Sequence, residues 1–192
     1  FWNSSFISVL AWLFRTDAGE SLIGGEPCSF ASPREAIAAG IGMVYQHFKL
    51  VEPFTVAQNM QLNERQGSFL LSDAHIRYEI HKFEERFGLA IDPDAPVWQL
   101  SVGEKQRVEI VRMLYRGSRV LILDEPTAVL TPQETAELFV NMKKMAAGGC
   151  AVVFITHKMN EVQEVADRVT VLRGGKVSGT MLCRDVHAQE LV

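Results

Sequence analysis

Two stretches of the chain are apolar without interruption and end on titratable residues: VLILDE, residues 120–125, and CAVVFITH, residues 150–157. Short apolar runs with no polar alternation, rich in Val and Ile, predict strands covered on both faces, as in parallel sheets. Between them, apolar positions recur at helical spacing from Pro132 to about Ala147. Thr131 is the predicted N-cap of that helix, Pro132 takes its first position, Glu134 closes a capping box, and Gly148 and Gly149 end it. IGMVYQ, residues 41–46, predicts a further short strand, and residues 55 to about 115 show helical periodicity broken by Pro and Gly. A second helix is expected from about Lys158 to Ala166, and RVTVLRGGKVSGTM reads as a hairpin turning at Gly174 and Gly175. At the start, FWNSSFISVLAWLFRTDAGE predicts a helix, with Ser4 and Ser5 as cap residues and Phe6, Ile7, Leu10, Leu13 and Phe14 along one face. Strands alternating with helices predict an α/β fold, a mainly parallel sheet flanked by helices. There is no internal repeat and no low-complexity linker.

Composition narrows the classes without changing that picture. A chain of 192 residues suits one domain, and 47% hydrophobic with 22% charged residues is the mix of a globular protein. The longest apolar stretch, FISVLAWLF, falls short of the roughly 18 residues that a membrane-spanning helix requires. A formal net charge of -4 gives no electrostatic footprint for DNA or RNA, so no nucleic-acid partner is expected. Cys28, Cys150 and Cys183 form neither a disulfide framework nor a metal spacing and read as small core hydrophobes of a reducing compartment. No secretion signal opens the chain.

In parallel sheets ligands bind beyond the carboxyl ends of the strands, and there stand Asp124 and Glu125 on one predicted strand and His157 on another. LSVGEKQRVEI, residues 100–110, adds a second feature. Ser101 and Glu104 form a capping box, while Val102 and Gly103 leave little bulk on the first turn, so that backbone N–H groups and the positive end of the helix dipole are expected to be open to an anion. His47, His75, His81 and His187 have no such company and read as surface residues.

LSVGEKQ resembles the signature sequence of ATP-binding cassette (ABC) ATPases, usually written LSGGQ. VLILDEPTA resembles their Walker B strand, VYQ their Q-loop and FITH their H-loop, in the family's order and spacing over most of the chain. The wording LSVGEKQRVEI and DEPTAVLTPQE is similar to that of the amino-terminal cassettes of simple-sugar and nucleoside importers. Glu104 replaces the family's usual Gln, and Thr131 stands where most members carry Asp; both are usual in this importer group. DNA-repair and chromosome-organising ABC ATPases share the motifs but separate them by long insertions, whereas about 55 residues lie between Gln46 and Ser101 here.

The resemblance implies a P-loop NTPase-like fold in a single domain, residues 1–192, with a helical subdomain from about 55 to 115. It implies ATP and Mg2+ as ligands and transport-coupled ATP hydrolysis. Asp124 would hold the magnesium, Glu125 would act as general base, and His157 would bond the terminal phosphate. Gln46 would sense both the ion and that phosphate. Ser101 and Gly103 would contact the ATP of an opposed second cassette, separate or fused, in a head-to-tail pair. A transmembrane permease would be the other partner, placing the chain peripherally at the cytoplasmic face of the membrane. The family's P-loop, G-x-x-x-x-G-K-[ST], would fall at the very start. Ser4 and Ser5 then align with its hydroxyl positions, Ser4 at the magnesium-binding one, but Asn3 stands at the lysine and Trp2 at the last glycine. Two readings stay open: a segment of a longer product with an altered start, or a degenerate regulatory cassette that lends its signature helix to a partner.

Overall fold

The computed structural model describes residues 18–62 and 73–185. The expected first helix, with Trp2, Asn3, Ser4 and Ser5, lies outside the described residues, as does His187.

A three-stranded parallel sheet forms the centre, with β3 (Ile41–Val44), β4 (Val120–Asp124) and β5 (Ala151–Ile155) side by side in that order. Successive β4 residues face opposite sides. Leu121 and Leu123, both fully buried, enter the main core, whereas Ile122 packs with Ala36 and Ile41 on the other side. That second side is covered in part by α1 (Pro33–Ala38), while Val153 on β5 stays 40% exposed.

Two antiparallel hairpins complete the described sheets: β1 (Ser21–Ile23) with β2 (Glu26–Cys28), and β6 (Arg168–Arg173) with β7 (Lys176–Leu182). Each turns on a glycine pair with positive φ, 62° and 88° at Gly24 and Gly25, 56° and 77° at Gly174 and Gly175. Only glycine takes that conformation without steric cost, and it matches the twist of the flanking strands.

Residues 55–115 contribute three described α-helices, α2 (Val56–Gln61), α3 (Asp73–Phe87) and α4 (Val102–Tyr115), and a 3-10 turn at Val97–Gln99. Their apolar faces, with Val56, Met60, Ile76, Ile80 and Val108, join the same core as Leu121 and Leu123, so helices and sheet share one interior. Asn59 is fully buried, yet its amide is satisfied: Oδ1 accepts from the Val51 amide at 2.7 Å, and Nδ2 donates to the carbonyls of Val51 and Thr55, each at 3.0 Å. Such a buried side chain fixes the turn before α2, because a lost partner would leave a desolvated polar group.

The remaining helices are α5 (Pro132–Ala147) and α6 (Met159–Val165). Thr131 caps α5 and Glu134 closes its capping box, as the sequence predicts. α6 is one residue shorter at each end than expected, with Lys158 and Ala166 as its caps. The three central strands are also shorter than their apolar runs: β3 stops before Tyr45 and Gln46, β4 before Glu125, and β5 before Thr156 and His157. Each of those residues lies in the loop beyond the strand, which is where a ligand-facing group belongs. Cys150 is buried and Cys28 and Cys183 are half-buried, all three with free thiols.

Candidate functional site

β4 delivers Asp124 to the end of the sheet, and the chain then turns sharply. Glu125 has φ 43°, the one positive value at a non-glycine position among the described residues. A left-handed conformation costs an ordinary residue roughly 1–2 kcal/mol, so the surroundings must impose it. The Glu125 amide donates to the Ile155 carbonyl at 3.0 Å, continuing the β4–β5 ladder, and the Ala128 amide closes a turn on the Glu125 carbonyl at 3.1 Å. The result aims the Glu125 carboxylate at the loop after β5, where Oε1 lies 3.3 Å from His157 Nδ1.

Asp124 sits beside it. Burial first, and then the neighbouring Glu125 charge, push the Asp124 carboxyl above the usual range. Gln46, Gln106, Asp124 and Glu125 line one narrow cleft of ≈ 10 Å³. Gln46, Asp124, Glu125 and His157 are thus gathered from the ends of all three parallel strands. His157, outside the lining of the cleft, is 67% exposed. His47, His75 and His81 are exposed, as the sequence predicts.

Ser101 and Gly103 belong to a second location, the start of α4. Ser101 caps the helix, its Oγ accepting from the Glu104 amide at 3.2 Å while Glu104 Oε2 accepts from the Ser101 amide at 2.7 Å. The N–H groups expected to be open to an anion already meet one. Glu134 Oε1 accepts from the Gly103 amide and from the Ser101 hydroxyl, both at 3.2 Å, and Oε2 accepts from the Thr131 amide at 3.0 Å and hydroxyl at 3.1 Å. One carboxylate therefore closes the first turns of α4 and α5 together. The bond from the Thr131 amide, joined by those from the Thr131 hydroxyl, the Gly103 amide and the Ser101 hydroxyl, outweighs burial and holds the Glu134 carboxyl below the usual range.

The sequence did not single out four residues that support these locations. Gln106, buried on α4, donates to the Pro126 carbonyl at 2.9 Å and links the two locations. Glu109 and Arg112, a buried pair at 2.6 Å, clamp the loop after Gln46: Glu109 Oε1 accepts from the Lys49 amide at 2.8 Å and Arg112 Nη1 donates to the Lys49 carbonyl at 2.9 Å. Glu161 on α6 is 6% exposed and bonded to both Thr127 and Thr156. The available signal was polarity itself, since Gln106, Glu109, Arg112 and Glu161 are polar residues on faces that the apolar spacing marks as buried.

Comparison with known proteins gives the family. The family described as ABC transporter matches residues 3–128. The nucleoside import ATP-binding protein NupA of Lactococcus lactis is 44% identical over 190 residues, 98% of this chain and 38% of NupA. The ribose import ATP-binding protein RbsA 1 of Burkholderia thailandensis is 44% identical over 180 residues, 93% of this chain and 36% of that protein. The chain therefore spans well under half the length of these curated relatives. Among solved structures, cbiO1 from Clostridium perfringens, part of the ABC transporter complex cbiONQ, superposes with a TM-score of 0.81 at 25% identity, over 98% of this chain and 75% of cbiO1. The dimeric cassette MJ0796, bound to ADP and Pi, shares the fold with a TM-score of 0.76 at 23% identity, over 96% of this chain and 82% of MJ0796. With an α/β parallel sheet, the signature, Walker B and H-loop wording, and a family match over most of its length, the chain belongs to the ABC transporter family.

Proposed function

We propose that this chain is the ATP-binding and ATP-hydrolysing cassette of an importer that takes up a simple sugar or nucleoside. The observation that carries the reading is the Glu125–His157 pair, held 3.3 Å apart at the open end of the sheet beside Asp124. Glu125 accepts the proton of the attacking water, and His157 orients that water and the terminal phosphate. Gln46 and Asp124 face the same cleft as Glu125. Among the described residues no cluster of three or more His, Cys, Asp or Glu side chains is suited to hold a metal by itself. The residues still fit Mg2+, which takes most of its ligands from water and phosphate oxygens and needs one or two carboxylates. Asp124, whose charge is disfavoured by burial and by Glu125, gains from a nearby cation. When bound, Mg2+ offsets negative charge on the phosphates.

Two further parts of the reading concern partners. Ser101 and Gly103 meet the ATP of a second cassette in a head-to-tail pair, and to do so their donors must exchange Glu134, which they bind in this chain alone, for phosphate oxygens. Residues 55–115 form a helical subdomain that meets a membrane permease at the cytoplasmic face. Val51, Phe54 and Trp98, 37%, 38% and 61% exposed, support that contact: bonds from the Val97 and Trp98 amides to the carbonyls of Phe54 and Glu52 lay the two segments side by side, next to the loop after Gln46. None of the described helices is long and apolar enough to cross a membrane.

Phosphate release from Mg-ATP by the cassette assembled with its partners tests the reading. Glu125→Gln is expected to keep nucleotide binding and lose on the order of 10²–10⁴ in turnover, because an amide cannot take the water's proton. An unchanged rate removes Glu125 from the role.

One observation favours a second reading. Asn3 and Trp2 stand where the P-loop lysine and last glycine align, which suits a regulatory cassette that hydrolyses nothing itself and lends its signature helix. A partner cassette with an intact P-loop and a disabled signature serine would then regain ATPase activity on mixing with this chain, and would not regain it with the Ser101→Arg variant.

A further inference from the structure

Glu125 and His157 leave two different strands, and both are partly exposed. An exposed contact of this kind is worth little by itself, so something else must fix the distance between them. The residues that follow and precede them converge on one buried carboxylate. Glu161 accepts from the Thr127 hydroxyl, which lies 2.7 Å and 2.8 Å from its two oxygens, and from the Thr156 hydroxyl at 3.0 Å. Lys158 Nζ pairs with it at 3.0 Å and reaches the Thr127 carbonyl at 3.4 Å, while the Lys158 amide donates to Thr156 Oγ1 at 3.1 Å. Thr127 lies two residues after Glu125 and Thr156 one residue before His157.

We infer that Glu161 is the positioning residue of the Glu125–His157 pair, tying the turn after β4 and the loop after β5 to one point so that the two side chains meet. The inference rests on the proposed hydrolytic reading of that pair. Glu161 does not touch the pair, and no nucleotide contact is needed for its effect. Its bonds are strong enough to hold both loops, because they are charge-assisted, lie where water is excluded, and satisfy a carboxylate that would be costly to bury alone. Although burial pushes the Glu161 carboxyl up, donors from Thr127, Lys158 and Thr156 overcome it and hold it below the usual range, so it is ionised at neutral pH.

A purely structural Glu161 would lower stability and nothing more. The ring resonance of His157, recorded in the chain at one pH, reads its position directly. The expected result is that Glu161→Gln and Thr127→Val both move it, that Thr127→Ser restores it, and that Asn59→Ala, which weakens the fold elsewhere, leaves it in place. In the assembled ATPase the first two variants should lower kcat by on the order of tenfold to a hundredfold with KM for ATP unchanged, the signature of a misplaced group rather than a lost binding contact. A resonance and a kcat unmoved by Thr127→Val in a folded chain overturn the inference. Hydrolysis that survives Glu125→Gln overturns the reading of the pair, and the ring resonance then decides the positioning by itself.

Discussion

The amide of Gly103 donates to Glu134 Oε1 across 3.2 Å, and a Cβ at Gly103 would stand 2.6 Å from that same oxygen. The glycine in the signature stretch is thus matched to an acid 31 residues away.

Gly103→Ala is therefore expected to push Glu134 aside. Alanine gains up to about 1 kcal/mol of helix propensity, and less in a first turn. Losing hydrogen bonds to a charged acceptor costs about 1.5–3 kcal/mol, toward the lower figure where water can replace them. The net loss should be about 1 kcal/mol by urea denaturation. In a Glu134→Ala background the same substitution should be neutral or stabilising; equal effects in both backgrounds would disprove the coupling.

The Glu134 carboxyl is held below its ordinary range in the fold, so its stabilisation is fully present above the unfolded value of about 4.3 and is lost as pH falls through the lower folded value. Wild type and Glu134→Gln should differ most above about pH 5 and converge in stronger acid. A difference independent of pH would rule out the charge as its source.

Asp124 carries the opposite sign. Its carboxyl is raised, so the advantage of the folded state is present below about pH 3.9 and is lost as pH rises through the folded value. Asp124→Asn should raise the melting temperature at neutral pH and change it little at low pH. A lower melting temperature at pH 7 would contradict this.

Glu125 in its left-handed conformation predicts a gain on removal. Glu125→Gly relieves roughly 1–2 kcal/mol of steric cost and loses part of that to the greater freedom of glycine in the unfolded chain, leaving a net gain of about 0.5–1 kcal/mol. A destabilised Glu125→Gly variant would mean that the 3.3 Å contact with His157 outweighs the strain.

Glu109→Ala should be among the most damaging single changes, because it leaves Arg112 buried with its partner removed, at about 3–5 kcal/mol. Glu109→Gln, which keeps an acceptor for the Lys49 amide, should cost less. Equal losses by chemical denaturation would show that the ion pair contributes nothing beyond that hydrogen bond.

How much of this the sequence announced depended on range. The start of α5 was readable to the residue, because Thr131, Pro132 and Glu134 interact within one turn. The hairpin at Gly174 and Gly175 was readable because its turn residues flank two apolar runs, yet the similar one at Gly24 and Gly25 was not, since its strands have three residues each and Pro27 interrupts the second. Strand ends were overrun at Gln46, Glu125 and His157, where the chain leaves the ladder while its wording continues unbroken. Asp124, Glu125 and His157 could be named because strand ends point to sites. Glu161 could not, since its partner Thr127 is 34 residues away and no local spacing records that bond. Glu134 shows both cases, its capping of α5 visible and its grip on Gly103 hidden.

α4 is fastened at two points on neighbouring turns, by Gln106 to the Pro126 carbonyl and by Glu109 and Arg112 to the main chain of Lys49. From Gln106 the helix advances about 4.5 Å to Glu109 and about 9 Å to Arg112, under two turns in all. Those fastenings make this part of the helix a crank between the backbone at Lys49 and that at Pro126, one residue from Glu125.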